Sequence, residues 1–350
     1  MIEKLTYCET ENTYPYRNLA EEAYLTFHVE KGECILFLWQ NRQTVVIGKN
    51  QNCWKECRVS QLEEDGGYLV RRLSGGGAVF HDLGNLNFTF CVREEDYDVS
   101  RQMDVILEAV RLLGIEAEKT GRNDITADGR KFSGNAFYRS GGCCYHHGTL
   151  LVDVDQRKMA EYLQVSKEKL ESKGVNSVRS RTVNLKELNP LITVDALKDA
   201  LRKAFGMVYG LPVQPLAPER MDSAEIGRLQ QKFESHSWKY GRPIPFQHGM
   251  AQRFDWGDVQ LQFQVNCGRV TDVNVFSDGM EQDFLSALPE LWKDCPYDAA
   301  SLCCAMDQYR GENGGDQAFS QTLSQTFSQT LSQTLSQMKE DIASLLRANL

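Results

Sequence analysis

RRLSGGGAVFHDLGNLNF, residues Arg71 to Phe88, decides how the rest of this chain is read. Apolar Tyr68, Leu69 and Val70 lead into it as the end of a strand, and apolar character resumes at Ala78, Val79 and Phe80. Between them lie Gly75, Gly76 and Gly77. Residues without a Cβ take backbone angles that others avoid and let a ligand lie on the main chain. Backbone N–H groups exposed in such a turn make a concave anion site. Arg71 and Arg72 add positive charge, Ser74 a hydroxyl, and His81, Asp82 and Asn85 further polar groups. Strand alternation sends Arg71 and Arg72 to opposite faces, so one of them is expected at a ligand. GxxxxGK[ST] is absent and no helix pattern follows the glycines, so neither the P-loop nor the dinucleotide fingerprint applies. A strained turn between two buried strands accounts for the glycine triplet equally well.

Outward from this loop, Cys34–Trp39 and Thr44–Ile47 read as buried strands, and Leu86–Val92 as the strand that follows it. Leu19, Ala23 and Phe27 mark a helical face, and Met103–Leu113 is an amphipathic helix stopped by Gly114. Asp128-Gly129 is a strong hairpin signal. If Arg130–Ala136 is its return strand, Lys131, Ser133 and Asn135 share one face over Phe132, Gly134 and Ala136 on the other. Tyr145–Val154 reads as a further strand, and Thr193 as the N-cap of a helix running to Tyr209. Asp222 with Glu225 resembles a capping box for a helix to Phe233. Pro243 and Pro245 mark a boundary. Beyond it Val259, Leu261, Phe263 and Val265 alternate with glutamines, turn at Asn266–Arg269 and return through Val273 and Val275, before two more helices. In the tail, Phe319, Leu323, Phe327, Leu331 and Leu335 recur every four residues, a stripe that slants around a 3.6-residue helix; a low-complexity expansion explains it as well.

A chain of 350 residues, 41% hydrophobic and 10% aromatic, suits two globular domains. Its net charge of −9 argues against general nucleic-acid binding. No apolar run is long enough to span a membrane, and the first residues lack a signal-peptide core. The 11 cysteines contain no CxxC, and reduced thiols in the cytoplasm are the expectation. Cys143, Cys144, His146 and His147 are adjacent pairs on a strand; neighbours there face opposite ways, which disfavours one shared metal.

The Arg71–Phe88 loop resembles that of the lipoate–protein ligases. Further segments match the family in order and spacing from Tyr14 to Leu191: KNQNCWKEC (Lys49–Cys57), GRNDI (Gly121–Ile125), RKFSGNA (Arg130–Ala136), HHGTLL (His146–Leu151) and SVRSRTVNL (Ser177–Leu185). Ser237–Gly279 resembles the accessory domain of larger members, while the tail from Gly311 falls outside the resemblance. The resemblance implies an α+β fold: a biotin/lipoate-ligase-like catalytic domain over residues 1–240 and a small α+β accessory domain over 247–310. The repeat pattern itself sets off residues 311–350 as a low-complexity, helical tail. The resemblance implies an enzyme that activates lipoate or octanoate with ATP to an acyl-AMP, releases pyrophosphate, and passes the acyl group to a lysine of an acceptor protein. Lys131 is then the catalytic lysine touching lipoate carbonyl and α-phosphate. Arg72 and the backbone of Gly77, Ala78, Val79 and Phe80 hold ATP. Ser74, His81, Asn85, Asp124 and His147 are lesser candidates for ligand positioning, each equally readable as a satisfied structural polar group. Mg²⁺ is expected with the triphosphate, with Asp124 a candidate contact and no fixed protein metal site. Expected acceptors are lipoyl domains of 2-oxoacid dehydrogenase E2 subunits and the glycine-cleavage H protein, with Arg179 and Arg181 as candidate contacts, and neither nucleic acid nor membrane as a partner.

Two rival readings stay open. One is an ATP-independent octanoyl or lipoyl transferase of the same fold, with Cys91, Cys143 or Cys144 as nucleophile. The other is a binding module that holds a lipoylated protein or an adenylate without turnover.

Overall fold

The computed structural model describes residues 1–121, 123–164, 182–309 and 325–350, with the backbone alone over 325–333. The chain divides into two units. The first comprises Met1–Ile47, Cys53–Leu73 and Ala78–Lys239; the second comprises Tyr240–Leu350 together with the short segments Gly48–Asn52 and Ser74–Gly77.

The first unit is built on an eight-stranded sheet. Its strands are β1 (Lys4–Glu9), β2 (Glu33–Trp39), β6 (Asn85–Arg93), β7 (Glu118–Thr120), β8 (Asp124–Ala127), β9 (Arg130–Ser140), β10 (Cys143–Leu151) and β11 (Val213–Pro215), in the order β11-β1-β2-β6-β10-β9-β8-β7. β1 is parallel to both its neighbours, and every other pair is antiparallel. A small sheet places β3 (Thr44–Ile47) between β4 (Tyr68–Arg71) and β5 (Val79–His81).

Both faces of the large sheet are covered, which is why β2 is a continuous apolar run. Cys34, Leu36 and Leu38 join one core with Leu86, Phe88, Phe90 and Val92 of β6, under the helices Val99–Leu112 and Val194–Tyr209. Ile35, Phe37 and Trp39 join the other with Cys91 and Tyr145, under the helix Pro15–Phe27. That helix is buried from Pro15 to Tyr16 and from Asn18 to Thr26, so the expected single face widens to nearly the whole circumference; Phe27, expected on it, is 41% exposed at the helix end. Thr193 caps its helix by accepting from the Ala196 N–H at 3.1 Å, and Asp222 caps the helix Ser223–Glu234 through the N–H groups of Ala224 and Glu225.

The second unit carries an antiparallel sheet of β12 (His248–Phe254), β13 (Gly257–Asn266) and β14 (Arg269–Ser277). Its β13–β14 turn has Cys267 at φ 49° and Gly268 at φ 70°, the two left-handed residues of a tight hairpin. Val259, Leu261 and Phe263 are fully buried and pack with Phe284, Leu285, Leu288 and Trp292 of the helix Gln282–Trp292. The helix Gln325–Asn349 completes this core with Met338, Ile342, Leu345 and Leu346. Their spacing of i, i+4, i+7 and i+8 is a regular helical stripe. Of the four-residue repeat, Phe319 and Leu323 lie outside the described residues, as do the side chains of Phe327 and Leu331; Leu335 packs partly buried at this core.

Candidate active site

Lys131 stands at the start of β9, where the Asp128-Gly129 turn hands the chain back from β8. Both turn residues have positive φ, 49° and 69°. The β8–β9 register then shifts between Ile125 and Thr126: Thr126 opposes Lys131, and Ile125 opposes Ser133. This bulge overturns the alternation expected from sequence, because one extra residue reverses which face a side chain takes. Ser133 and Asn135 turn into the first core, where Asn135 Oδ1 accepts from His146 Nε2 at 2.8 Å. Lys131 takes the opposite face and shares it with Gly134, where its Nζ lies 2.6 Å from the place a Cβ would occupy. The ammonium is 2.6 Å from Asp124 Oδ1, and Asp124 is directly opposite Gly134 across the ladder.

On the same face, Thr149 of β10 is paired to Gly134 on one side and to Asn87 on the other; one row along, His147 is paired to Thr89. His147 Nδ1 donates to Glu22 Oε1 at 2.8 Å, Thr89 Oγ1 donates to the same oxygen at 2.7 Å, and Trp39 Nε1 donates to Thr89 Oγ1 at 3.0 Å. Asn85 Nδ2 donates to Asn87 Oδ1 at 2.9 Å. The helix Pro15–Phe27 delivers Glu22, and it also delivers Asn18, whose Nδ2 donates to Asn41 Oδ1 at 2.9 Å. Asn41 Nδ2 in turn donates to His81 Nδ1 at 3.2 Å, which places the ring proton on Nε2. That Nε2 is buried without a hydrogen-bond partner among the described residues. Burial, followed by the charges of Arg72 and His147, holds His81 down to about 3, so it is a neutral donor at neutral pH.

Arg71 and Arg72 diverge as strand alternation requires. Arg71 donates to the carbonyls of Trp238 and Lys239, each at 2.8 Å, at the end of the helix His236–Tyr240. Arg72 is buried and donates to the Val46 carbonyl at 3.3 Å; burial lowers it to about 10, with Tyr145 and Glu22 opposing the shift, so it stays charged at pH 7. Val79 and Phe80 are paired to β3, and Ala78 is half-buried beside them. Ser74 and Gly77 belong to the segment that groups with the second unit. There Gly76 has φ 88°, and a Cβ on Gly75 would come within 2.5 Å of the Gly279 carbonyl oxygen. These two glycines are therefore required by the chain's own backbone.

The expected site residues of the first unit thus gather in part. Lys131, Asp124 and His147 share one sheet face, Arg72 and His81 neighbour each other, and Asn85 lies on β6 within the same polar row. Arg179 and Arg181 lie outside the described residues. Glu22, Trp39, Thr89, Asn87 and Gly134 were not singled out from the sequence. Glu22 had a signal: it is a carboxylate three residues after Leu19, within the apolar stripe of its helix.

His146 and His147 point to opposite faces, and among the described residues no group of three or more His, Cys, Asp or Glu side chains could hold a metal ion. All 11 cysteines are free. Burial raises the Cys91 thiol well above its usual value, raises Cys143, and pushes Cys144 up to about 12, so each is poor in nucleophilic thiolate at neutral pH. No helix among the described residues is long and apolar enough to cross a membrane.

Residues 14–206 match the family model for the lipoyl protein ligase A/B catalytic domain, and residues 244–343 match that for the bacterial lipoate protein ligase C-terminus. The chain belongs to the lipoate–protein ligase family. The C-terminal match corrects the extent of the resemblance read from sequence, since it continues past Gly311 to residue 343. Lipoate-protein ligase A of Psychrobacter cryohalolentis is 37% identical over 313 residues, covering 87% of this chain and 92% of that protein. LipL1 of P. falciparum, a crystal structure in complex with lipoate, has a TM-score of 0.79 at 29% identity and covers 96% of this chain and 99% of that one. A chain from the bi-partite lipoate protein ligase system of Thermoplasma acidophilum, studied with its E2 lipoyl domain, has a TM-score of 0.60 at 25% identity, covering 70% and 99%. The mixed α+β architecture is that of the lipoate–protein ligases, with a C-terminal accessory domain.

Proposed function

We propose that the chain, an enzyme of this family, joins lipoate or octanoate to acceptor proteins through an acyl adenylate. The observation that carries this reading is the Lys131 ammonium, held on a polar row of an otherwise apolar sheet beside Asp124. A carboxylate does not form an amide at useful rates because its oxygen is a poor leaving group. In the first step a carboxylate oxygen of lipoate attacks the α-phosphorus of ATP, and the bond to the bridging oxygen breaks as pyrophosphate leaves. Two anions meet in that step, and a fixed ammonium stabilises the charge that builds between them. Lys131 contacts both the lipoate carbonyl and the α-phosphate. Arg72 and the backbone of Gly77, Ala78, Val79 and Phe80 hold ATP. Ser74, Asn85 and His147 position the ligands, and the unshared N–H of His81 is a donor for a ligand oxygen.

Mg²⁺ enters with ATP as its counterion, and Asp124 is the carboxylate that would hold it there, the phosphate oxygens supplying other ligands. In the second step the neutral amine of an acceptor lysine attacks the acyl carbon, the bond to AMP breaks, and the amine gives up a proton. The acceptor is a lipoyl domain of a 2-oxoacid dehydrogenase E2 subunit or the glycine-cleavage H protein. The Thermoplasma system with its E2 lipoyl domain supports that class of acceptor, and LipL1 with lipoate supports the acyl substrate. Residues 1–240 carry the chemistry, and the accessory domain begins at 247 and takes in the helix Gln325–Asn349, which completes its core. Free thiols fit a cytoplasmic setting.

The test is lipoate-dependent ATP–pyrophosphate exchange with Mg²⁺ and no acceptor, in which the chain is expected to exchange label. Absence of exchange from folded protein that still moves an acyl group from an acylated carrier protein would replace this reading with the transferase.

A further inference from the structure

The Lys131 side chain does not rise from the sheet. It runs along its own strand toward the C-terminal end, so that Nζ and Cε lie 2.6 and 2.9 Å from the position of a Cβ on Gly134. Three features make that path. The bulge turns Lys131 to the Gly134 face. Gly134 leaves open the space that any other residue would fill. Asp124, opposite Gly134 on β8, receives the ammonium at 2.6 Å. Gly134 has no positive φ, so its backbone conformation is one that alanine also adopts. The Thr149 hydroxyl lies 3.8 Å from the same point, an ordinary contact for a methyl group. What a methyl group meets closely is therefore the far end of a flexible lysine, which moves without cost to the sheet.

We infer that Gly134 is a positioning residue for Lys131: its missing side chain, together with the Asp124 carboxylate, sets where the ammonium stands. The inference rests on the proposed role of Lys131 in adenylation and deepens it. A methyl group at 134 lifts the ammonium off the strand and away from Asp124. A preorganised charge acts through its position, so a displacement of the order of an ångström weakens it.

Two measurements separate this from a merely structural role. The first is a double-mutant cycle on the affinity for a non-hydrolysable lipoyl-AMP analogue with a sulfamate in place of the phosphate. Gly134→Ala is expected to weaken binding by about tenfold where Lys131 is present, and by less than about twofold on a Lys131→Ala background. Equal losses on both backgrounds, or no loss on the first, would overturn the inference. The second is ligand-free: competitive acylation of lysine amines, mapped by mass spectrometry and normalised to exposed Lys31. Both Gly134→Ala and Asp124→Asn are expected to raise labelling of Lys131 several-fold at an unchanged melting temperature. Unchanged labelling in Gly134→Ala overturns the role of the glycine, and unchanged labelling in Asp124→Asn that of the carboxylate. An analogue that fails to bind the wild-type chain breaks the adenylation reading instead, and the labelling still decides where the ammonium stands.

Discussion

The two faces of the eight-stranded sheet are made from the same strands and do opposite things. Adjacent His146 and His147 show the contrast. His146 enters the first core among Phe88, Phe90 and Phe137, with Asn135 as its hydrogen-bond partner. His147 faces Glu22 on the side that carries Lys131 and Asp124. One face buries a neutral polar pair for packing; the other carries two groups, Lys131 with Asp124 and His147 with Glu22 and Thr89. A residue type is therefore a poor guide to role here, and the face it occupies is a good one.

The largest effect expected to sharpen this contrast is at Lys131. Lys131→Ala should cut lipoate-dependent pyrophosphate exchange by about a thousandfold, or about 4 kcal/mol, while urea unfolding moves by less than about 0.5 kcal/mol. Exchange at the wild-type rate would remove the lysine from the chemistry. Next comes Glu22, where structure and site meet. Glu22→Ala removes the carboxylate oxygen that accepts from both the buried His147 and the Thr89 hydroxyl, and should cost about 3 kcal/mol in the urea midpoint at pH 7. A midpoint shift below about 0.5 kcal/mol would show that the row does not depend on this carboxylate.

Smaller again is the acid response of the buried imidazoles. In the unfolded chain a histidine takes up its proton near pH 6.5. Burial holds folded His146 and His81 down to about 3, helped by the positive charge of His147 at both and of Arg72 at His81. Between those values the unfolded chain binds more protons, so stability falls as the pH drops below about 6.5 and goes on falling to about 3. From pH 6.5 to 5 the loss is at most about 2 kcal/mol per histidine. Urea midpoints across that range should show it, and His146→Gln should remove its share. An unchanged slope in that variant would mean that the folded core accepts the proton.

Much of this was legible locally. Asp128-Gly129 marked its hairpin, the run CILFLW marked a strand buried on both faces, and Thr193 and Asp222 marked two helix starts, because each depends on a few neighbouring residues. Lys131 was legible only through its segment, RKFSGNA. Its face was not, because the bulge that reverses it is fixed by the β8–β9 pairing and has no residue of its own to announce it. Glu22 was hidden for a related reason: its partners, Thr89 and His147, are far away in sequence. In the tail the regular four-residue repeat drew the eye, while the second core uses Met338, Ile342, Leu345 and Leu346 beyond it.

That last arrangement has a consequence for how the protein comes into being. Synthesis runs from the first residue onward, and domains tend to fold as their chains emerge. The strands from His248 to Ser277 are made well before Met338 to Leu346, yet both line one apolar core. Until those last residues leave the ribosome, Val259, Leu261 and Phe263 have only part of their cover. The second unit therefore cannot complete its core until residues 338–346 have been made, and a chain cut short before residue 338 is expected to keep part of the apolar face of its sheet uncovered.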